Sequence, residues 1–306
     1  MGEYEKCHNR QDIWWENGGR GMFKENGEYK VMSNGLSHWV KVEGRERDTM
    51  PIVVIHGGPG GNHYVFERTA GFMIAKERTI IYYEQRGCGR TDKPEDDGDY
   101  RIADLVEDFK GLHRLLGWEK VDLLGYSFGA ELALEIAYTL PNTVNRLVLS
   151  APSMMQSPLQ KLVQISGFVS VGAPGIRSDA TIEEAYRGLW DHADTTLVDK
   201  LLFQDPSLAA MNRKWWEESA LINTGLMMRA LENDTSRPSL EERLSDIPHP
   251  ALILVGAFDR NTGIPVASLI HDRLQHSALT ILSKSAHFPD IEEPEVFTRY
   301  VCSFLR

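Results

Sequence analysis

The chain of 306 residues is 42% hydrophobic and 25% charged, the composition of an ordinary globular protein with enough apolar residues for a sizeable core. Its formal net charge is −11 and its Lys and Arg residues are scattered, which argues against a surface for nucleic acids or anionic membranes, since both need clustered cations. The three cysteines, Cys7, Cys88 and Cys302, are far apart and form no CxxC pair, so neither a disulfide framework nor a zinc site is predicted.

The N-terminal residues contain no apolar stretch of the kind that secretory signals need. No run along the chain approaches the roughly 18 apolar residues of a membrane-spanning helix. Unpaired, widely spaced cysteines are also typical of a reducing compartment. We therefore expect a cytoplasmic protein with no nucleic-acid or membrane partner.

The first half of the chain alternates short apolar runs with helical patterns. A hairpin is predicted at about 27–42, and helices are predicted near 104–116 and 128–140. The predicted strands that alternate with these helices lie at 51–58, 78–87, 121–127 and 146–152. Short β-rich runs separated by helices of about a dozen residues indicate βαβ units around a parallel sheet.

This alternation stops at 153 and does not resume before 248. The residues in between favour helix, most clearly at 181–190 and 211–229, and they include several large aromatic side chains. We predict that 153–248 forms a helical cap, which is inserted into the sheet domain.

The strand pattern returns at 251–259 and again at 278–284, and an amphipathic helix is predicted at 294–305. The simplest organisation is therefore one core domain formed by 1–152 and 249–306, split by the cap. The predicted fold class is α/β, with a mostly parallel central sheet flanked by helices.

A serine stands between two glycines where the strand at 121–127 gives way to the next helix, in the sequence GYSFG at 125–129. The pattern G-x-S-x-G occurs often by chance, but a strand before it and a helix after it are typical of a nucleophile elbow. The glycines permit a strained turn with close backbone contacts, and the helix N-terminus favours negative charge near the hydroxyl. Ser127 is therefore the candidate nucleophile, and an ordinary glycine turn is the alternative interpretation.

A serine hydroxyl needs a base, and the base needs an acid that fixes its tautomer. In sheets of this kind the chain order is Ser, acid, His. Asp259 ends the strand at 251–259, and His287 follows the last predicted strand, so both lie at the edge where parallel strands end. Asp246 and Asp272 are less well placed, because the first precedes its strand and the second lies within a helical pattern.

Acyl transfer also needs backbone donors for the developing oxyanion. The N–H of Phe128 is one candidate, and the glycine-rich stretch at 53–63 offers a second, for which we choose Gly58. A phosphate cradle is the rival interpretation of these glycines. The stretch has neither the GK[ST] ending nor the GxGxxG spacing that such a cradle requires.

Taken together, these motifs resemble the α/β-hydrolase branch of the prolyl aminopeptidases, or proline iminopeptidases. The residues that carry the resemblance are HGGPGG at 56–61, EQRGCGRT at 84–91, GYSFG at 125–129, GAFD at 256–259 and AHF at 286–288. The resemblance covers about 50–150 and 250–305, and it implies an α/β-hydrolase fold with a helical cap. In that family, carboxylates of the cap bind the free amino group of the substrate.

Candidate substrate-binding residues also come from the resemblance. The segment at 229–233, RALEN, is similar to the family's cap motif Arg-Ile-Glu-Asn, which makes Glu232 the first candidate. The segment at 214–219, KWWEES, is similar to a Trp-x-x-Trp-Glu motif, although its tryptophans are adjacent. Glu217 and Glu218 therefore both stay candidates, with Trp215 as a candidate apolar wall. The alternatives are solvated helix surface for the carboxylates and packing for the tryptophan.

The sequence departs from the family pattern at several positions. Glu84 and Thr91 replace the Asp and Ser of the second motif, and Phe128 stands where Trp is common. Arg260 follows the candidate acid, where some relatives carry a second amine-binding Glu. These changes leave Ser127, Asp259 and His287 intact, and they bear on the substrate.

The sequence therefore predicts a serine hydrolase that needs neither a metal ion nor a cofactor. Its predicted substrate is a short peptide or amide, from which it releases an N-terminal proline or another small residue. One alternative is an esterase, lactonase or amidase acting on a small metabolite without a free amine. The other is a catalytically inactive ligand-binding protein on the same fold.

Overall fold

A computed structural model describes residues 23–96, 98–219, 221, 225–234 and 238–306, so that Cys7 lies outside the described residues. In this described part of the chain, eight strands form one sheet in the order β1-β2-β4-β3-β5-β6-β7-β8. They are β1 Gly27–Ser33, β2 Leu36–Glu43, β3 Ile52–Ile55, β4 Ile80–Tyr83, β5 Val121–Tyr126, β6 Val144–Ser150, β7 Ala251–Gly256 and β8 Ser277–Leu282. The strands β3 to β8 run parallel, and β1 and β2 extend the sheet at the β4 edge as an antiparallel pair.

Each predicted strand is present, and the mostly parallel α/β sheet is confirmed. Both β3 and β4 are buried along their whole length, because strands of a parallel sheet are covered on both faces. Both are shorter than predicted, since the flanking polar and glycine residues leave the sheet as loops. The predicted hairpin turns at Asn34 and Gly35, whose φ angles of 48° and 79° suit a tight two-residue turn.

Helices cover both faces of the sheet. One face packs against α2 Ile102–Leu116, α3 Phe128–Thr139 and α10 Gly263–Arg273. The other packs against α1 Ala70–Ile74 and α12 Pro294–Phe304, with α11 Pro289–Glu292 just before α12. Within the described residues, even the longest helix, α2 with 15 residues, lacks the length and hydrophobicity to cross a bilayer.

Between β6 and β7, within the stretch predicted to form a cap, the described residues form six α-helices, which we call the cap helices. They are α4 Pro158–Ser170, α5 Ile182–His192, α6 Thr195–Leu202, α7 Pro206–Ser219, α8 Gly225–Asn233 and α9 Leu240–Arg243. The helical pattern at 211–229 is divided between α7 and α8. The first ends at Ser219 and the second begins at Gly225.

Candidate active site

Ser127 lies at a sharp turn between β5 and α3. Its φ and ψ angles are 54° and −123°, an uncommon conformation for a residue with a side chain. A Cβ at Gly125 would come within 2.2 Å of the Gly129 carbonyl oxygen, and one at Gly129 within 2.0 Å of the Ile55 carbonyl oxygen. Both glycines are therefore needed for the turn, as predicted, and the turn holds the half-buried serine between strand and helix.

The structure brings the three predicted triad residues together. His287 Nε2 lies 3.0 Å from Ser127 Oγ, and its Nδ1 lies 3.1 and 3.2 Å from the two carboxylate oxygens of Asp259. The Asp259 carboxylate also accepts hydrogen bonds from the N–H groups of Asn261 and Thr262 and from the Thr262 hydroxyl. These bonds fix the acid, which in turn orients the imidazole.

The electrostatics of the pair favour an ionised acid. Burial alone would raise the pKa of Asp259, but the charge and hydrogen bond of His287 and the donors at Asn261 and Thr262 outweigh it. The pKa of Asp259 falls to about 2 as a result. The carboxylate can then accept Nδ1–H of His287, which leaves Nε2 to accept a proton from Ser127.

Asn261 is a neighbour of the imidazole that the sequence did not indicate. Its amide nitrogen lies 3.1 Å from His287 Nε2, and its amide oxygen accepts a hydrogen bond from Gln164 on α4. The Asn261 amide therefore contacts the same imidazole nitrogen as Ser127. A further link joins the cap to the site, since the N–H of His287 donates to the carbonyl of Leu202 at the end of α6.

The predicted oxyanion donors lie beside the serine. Phe128 is the first residue of α3, so its N–H belongs to the unpaired first turn of that helix. The glycine stretch packs against Ser127 so closely that a Cβ at Gly57 would come within 3.1 Å of the serine Cβ. The next residue, Gly58, has a φ of 128° and lines both cavities described below.

The EQRGCGRT motif supports the glycine stretch from behind. The N–H and side-chain amide of Gln85 donate to Nε2 and the carbonyl of His56, and His56 Nδ1 lies 2.9 Å from the Gly57 carbonyl oxygen. Burial lowers the pKa of His56 to about 4, so that the ring stays neutral and keeps both contacts. Glu84 is buried beneath Arg90, with which it forms an ion pair of 2.6 Å. The motif therefore positions the loop and does not line the cavities.

Two cavities meet at Ser127, and both are also lined by Gly58, Trp190 and Asn261. The wider cavity has a volume of about 670 Å³, and the narrower one has a volume of about 280 Å³. The described lining of the wider cavity includes four exposed charged residues from α5 and α8, namely Arg187, Asp191, Arg229 and Glu232. The narrower cavity is walled mainly by aromatic and aliphatic side chains, among them Phe66, Tyr126, Trp190, Trp216 and Phe288.

The predicted substrate-binding residues are placed differently from one another. Glu232 lines the wider cavity. Glu217 and Glu218 are exposed on α7 and are not among the lining residues of either cavity. Glu218 forms an ion pair with Lys214 one helical turn earlier, which keeps it on the solvent-facing side of α7.

Trp215 also lines neither cavity, and its neighbour Trp216 lines the narrower one. Successive residues of a helix are turned by about 100°, so adjacent tryptophans cannot face the same way. Both tryptophans pack against a small apolar cluster around Phe203 and Ile291, but only Trp216 also lines the narrower cavity. The tryptophan predicted as the apolar wall is therefore replaced by the next residue along the helix.

Two buried polar residues of the narrower cavity escaped the sequence analysis. Asp290 follows His287 by three residues, and Asn62 follows the glycine motif, so only their proximity to those motifs could have drawn attention to them. The Asn62 Nδ2 and Asp290 Oδ1 atoms are buried without a hydrogen-bond partner in the part of the chain that the structure describes. Both side chains line the cavity that contains Ser127 and His287.

Comparison with known proteins gives a consistent family. A family model described as the alpha/beta hydrolase fold matches residues 50–294. A proline iminopeptidase from Heyndrickxia coagulans is 27% identical over 264 residues, which cover 83% of this chain and 90% of that protein. One from Saccharolobus solfataricus is 27% identical over 278 residues, 87% of this chain and 86% of that protein.

Solved structures give the same result. The crystal structure of a proline iminopeptidase-related protein from Thermus thermophilus superposes with a TM-score of 0.78. It is 26% identical, and the match covers 92% of this chain and 97% of that one. A proline iminopeptidase from Mycobacterium smegmatis, at 20% identity and a TM-score of 0.71, shares the fold; that match covers 91% of this chain and 97% of that one.

Proposed function

The chain belongs to the α/β-hydrolase family, whose model matches most of its length, and from this premise we propose that it is a serine hydrolase. Ser127 is the proposed nucleophile, His287 the base and Asp259 the acid that orients the base. The observation that carries the proposal is the 3.0 Å contact between Ser127 Oγ and an imidazole whose other nitrogen is held by a buried carboxylate. A nucleophile, a base and an orienting acid in hydrogen-bonded series are what acyl transfer by a serine requires.

The proposed reaction follows from this order of contacts. As Ser127 Oγ attacks the substrate carbonyl, its proton passes to His287 Nε2, and Asp259 stabilises the imidazolium that forms. The carbonyl oxygen becomes an oxyanion beside the N–H groups of Gly58 and Phe128. His287 then donates the proton to the leaving amine or alkoxide, and the acyl-enzyme remains. Water, deprotonated by the same imidazole, releases the acid and restores the serine.

The glycine stretch and the start of α3 are as important to this scheme as the triad. Removing one oxyanion donor typically costs about 3–4 kcal/mol of transition-state stabilisation. The donors are effective because they are held in place before the reaction, and here the turn at Ser127 and the Gln85–His56 contacts supply that rigidity.

For the substrate, we propose an aminopeptidase that releases N-terminal proline or another small residue from short peptides or amides. This finer proposal is supported by relatives named proline iminopeptidase that cover more than four fifths of the chain. The narrower cavity, with its aromatic walls and a volume of about 280 Å³, is suited to a small apolar ring. Carboxyl groups in both cavities could hold an ammonium group, and Glu232 is the one that the cap motif suggests.

A matched pair of substrates tests this proposal. The arylamide of proline and its N-acetylated twin have the same scissile bond and differ only in the free amine. We expect the free compound to be hydrolysed far faster, and Ser127→Ala to abolish the reaction. Equal hydrolysis of both would contradict the aminopeptidase and favour the esterase, lactonase or amidase alternative. If simple esters and arylamides all resist Ser127-dependent hydrolysis, the ligand-binding alternative gains support.

A further inference from the structure

A second buried carboxyl lies in the wall of the narrower cavity. Asp290 belongs to α11, is 3% exposed, and lines the same space as Ser127 and His287. Its Oδ1 atom is fully buried without a hydrogen-bond partner among the described residues, and a hydrogen bond from the residue's own backbone N–H offsets the burial of the carboxyl only in part. Leaving a buried carboxyl oxygen without a donor is costly, so a group that remains in this state invites a functional explanation.

Several other buried carboxylates of the described core have a cation as partner. Four of them form ion pairs with arginine: Asp108 with Arg86, Asp122 with Arg78, Glu84 with Arg90 and Glu135 with Arg243. The described lining of the narrower cavity contains neither Lys nor Arg. Its other polar side chains, apart from Ser127 and His287, are the uncharged amides of Asn62, Asn212 and Asn261 and the phenol and indole groups of its aromatic walls. The cavity therefore offers a carboxyl group, and its described lining supplies no Lys or Arg to pair with it.

The proposed substrate carries an ammonium group, which is the kind of cation that could pair with the Asp290 carboxyl. We propose that the narrower cavity holds the N-terminal residue of the substrate and that Asp290, rather than Glu232, binds its amino group. This inference rests on the proposed function and names the residue that selects for a free amine. The substrates would carry a primary or secondary amine next to the scissile carbonyl, on a side chain or ring small enough for this cavity.

The environments of the two carboxyl groups favour Asp290. Glu232 is exposed and shares the wider cavity with Arg187 and Arg229, so water and neighbouring cations weaken its attraction for an ammonium group. Asp290 lies among apolar walls, where an ion pair is stronger and where a blocked amine would leave the carboxyl without a partner. Discrimination between free and blocked substrates is therefore greater at Asp290.

Protonation of Asp290 adds a second testable consequence, a pH dependence of the preference for substrates with a free amine. Burial raises the pKa of Asp290 to about 7, so the carboxyl is largely protonated below neutral pH. The titratable groups that act on it are His287 and Glu292, and Tyr126 lines the same cavity. An ammonium group binds the carboxylate, so the proton must first leave to solvent. Preference for the free amine should therefore increase as pH rises through about 7.

The test compares prolyl arylamide with cyclopentanecarbonyl arylamide, which keeps the five-membered ring and lacks the amine. Because removing one partner of a buried charge pair leaves the other charge uncompensated, Asp290→Asn should lower kcat/KM for the prolyl compound by roughly 30-fold or more, mainly through KM. The amine-free compound should change far less. Glu232→Gln should leave the ratio of the two kcat/KM values near that of the wild type. Glu218→Gln, on the outer face of α7, is the matched control for loss of a cap carboxylate.

Three results would overturn the assignment of Asp290. Equal losses on both compounds would show that the residue acts through His287 or through the fold. Loss of amine preference in Glu232→Gln alone would assign the amine to the wider cavity. In the wild type, a kcat/KM ratio that does not change with pH would contradict the role of Asp290 even if Asp290→Asn does not fold. A wild type that does not hydrolyse the prolyl compound would refute the aminopeptidase itself, which is a separate outcome.

Discussion

The two cavities that meet at Ser127 differ in how they carry charge. In the wider one, two acidic and two basic residues of the cap helices stand exposed around a space of about 670 Å³. In the narrower one, the single acidic residue of the described lining, Asp290, is buried among apolar side chains, in a space of about 280 Å³. Exposed charges of both signs tolerate many ligands, whereas a buried lone carboxyl discriminates. Both cavities share the proposed nucleophile Ser127, and we assign selectivity for the substrate's free amine to the narrower one.

The largest expected effect concerns the machinery that both cavities share. Asp259→Asn should reduce kcat by roughly 10³- to 10⁴-fold for amine-containing and amine-free substrates alike, because an amide cannot hold His287 in the required tautomer. Steady-state rates on both arylamides measure this. A loss confined to one substrate would show that Asp259 belongs to the binding of that substrate and not to the shared chemistry.

An intermediate effect concerns how the free energy of unfolding of the protein depends on pH through Asp290 in the narrower cavity. The pKa of Asp290 rises from 3.8 to about 7 on folding, so the folded protein holds a proton that the unfolded chain releases, and stability falls as pH rises across that interval. Asp290→Asn removes this titration. Between pH 5 and 8, the variant should therefore gain about 3 kcal/mol relative to the wild type, as measured by denaturant unfolding.

Asp259 has the opposite effect on the pH dependence of stability, because its pKa is lowered on folding and not raised. The two carboxyls are therefore useful controls for each other. The pKa of Asp259 is lowered to about 2, so its contribution is present above about pH 4 and is lost only as pH falls from about 4 to about 2. Above about pH 5 it does not change the pH dependence of stability. Parallel curves for wild type and Asp290→Asn across this range would mean that Asp290 is not held in its neutral form.

The smallest expected effect concerns the wider cavity. Glu232→Gln should change kcat/KM for prolyl arylamide by no more than about 3-fold, because interactions of exposed charged groups are typically worth about 0–1 kcal/mol. Competing the reaction with proline amide in both proteins would measure the same difference as an inhibition constant. A drop of a hundredfold would reverse the comparison and place amine recognition on the cap.

Much of the core was predictable because its signals are local. The apolar runs at β3 and β4 mark strands buried on both faces, and the glycines at 125 and 129 mark a turn that excludes side chains. Asp259 and His287 could be located because each follows its strand directly, and strand ends of a parallel sheet share an edge. Each residue of the proposed triad therefore lies directly at or after the end of a strand that the sequence predicted.

The cavity walls were not predictable in this way. Whether Trp215 or Trp216 faces the site depends on how α7 is rotated against the core, which adjacent tryptophans leave open. The isolation of Asp290 arises only when Tyr126, Phe66 and the cap pack around it, and these come from distant parts of the chain. Recognition of a substrate therefore depends on long-range packing, which a single sequence records weakly.

The central claim is that Ser127 is a nucleophile activated by His287. Reaction with a fluorophosphonate tests it most directly, because the reagent phosphonylates an activated serine and the adduct is located by mass spectrometry of the peptides. We predict one adduct on Ser127 in the wild type, strongly slowed labelling in His287→Ala and none in Ser127→Ala. A folded wild type that forms no adduct, or an adduct that persists in Ser127→Ala, would contradict the account.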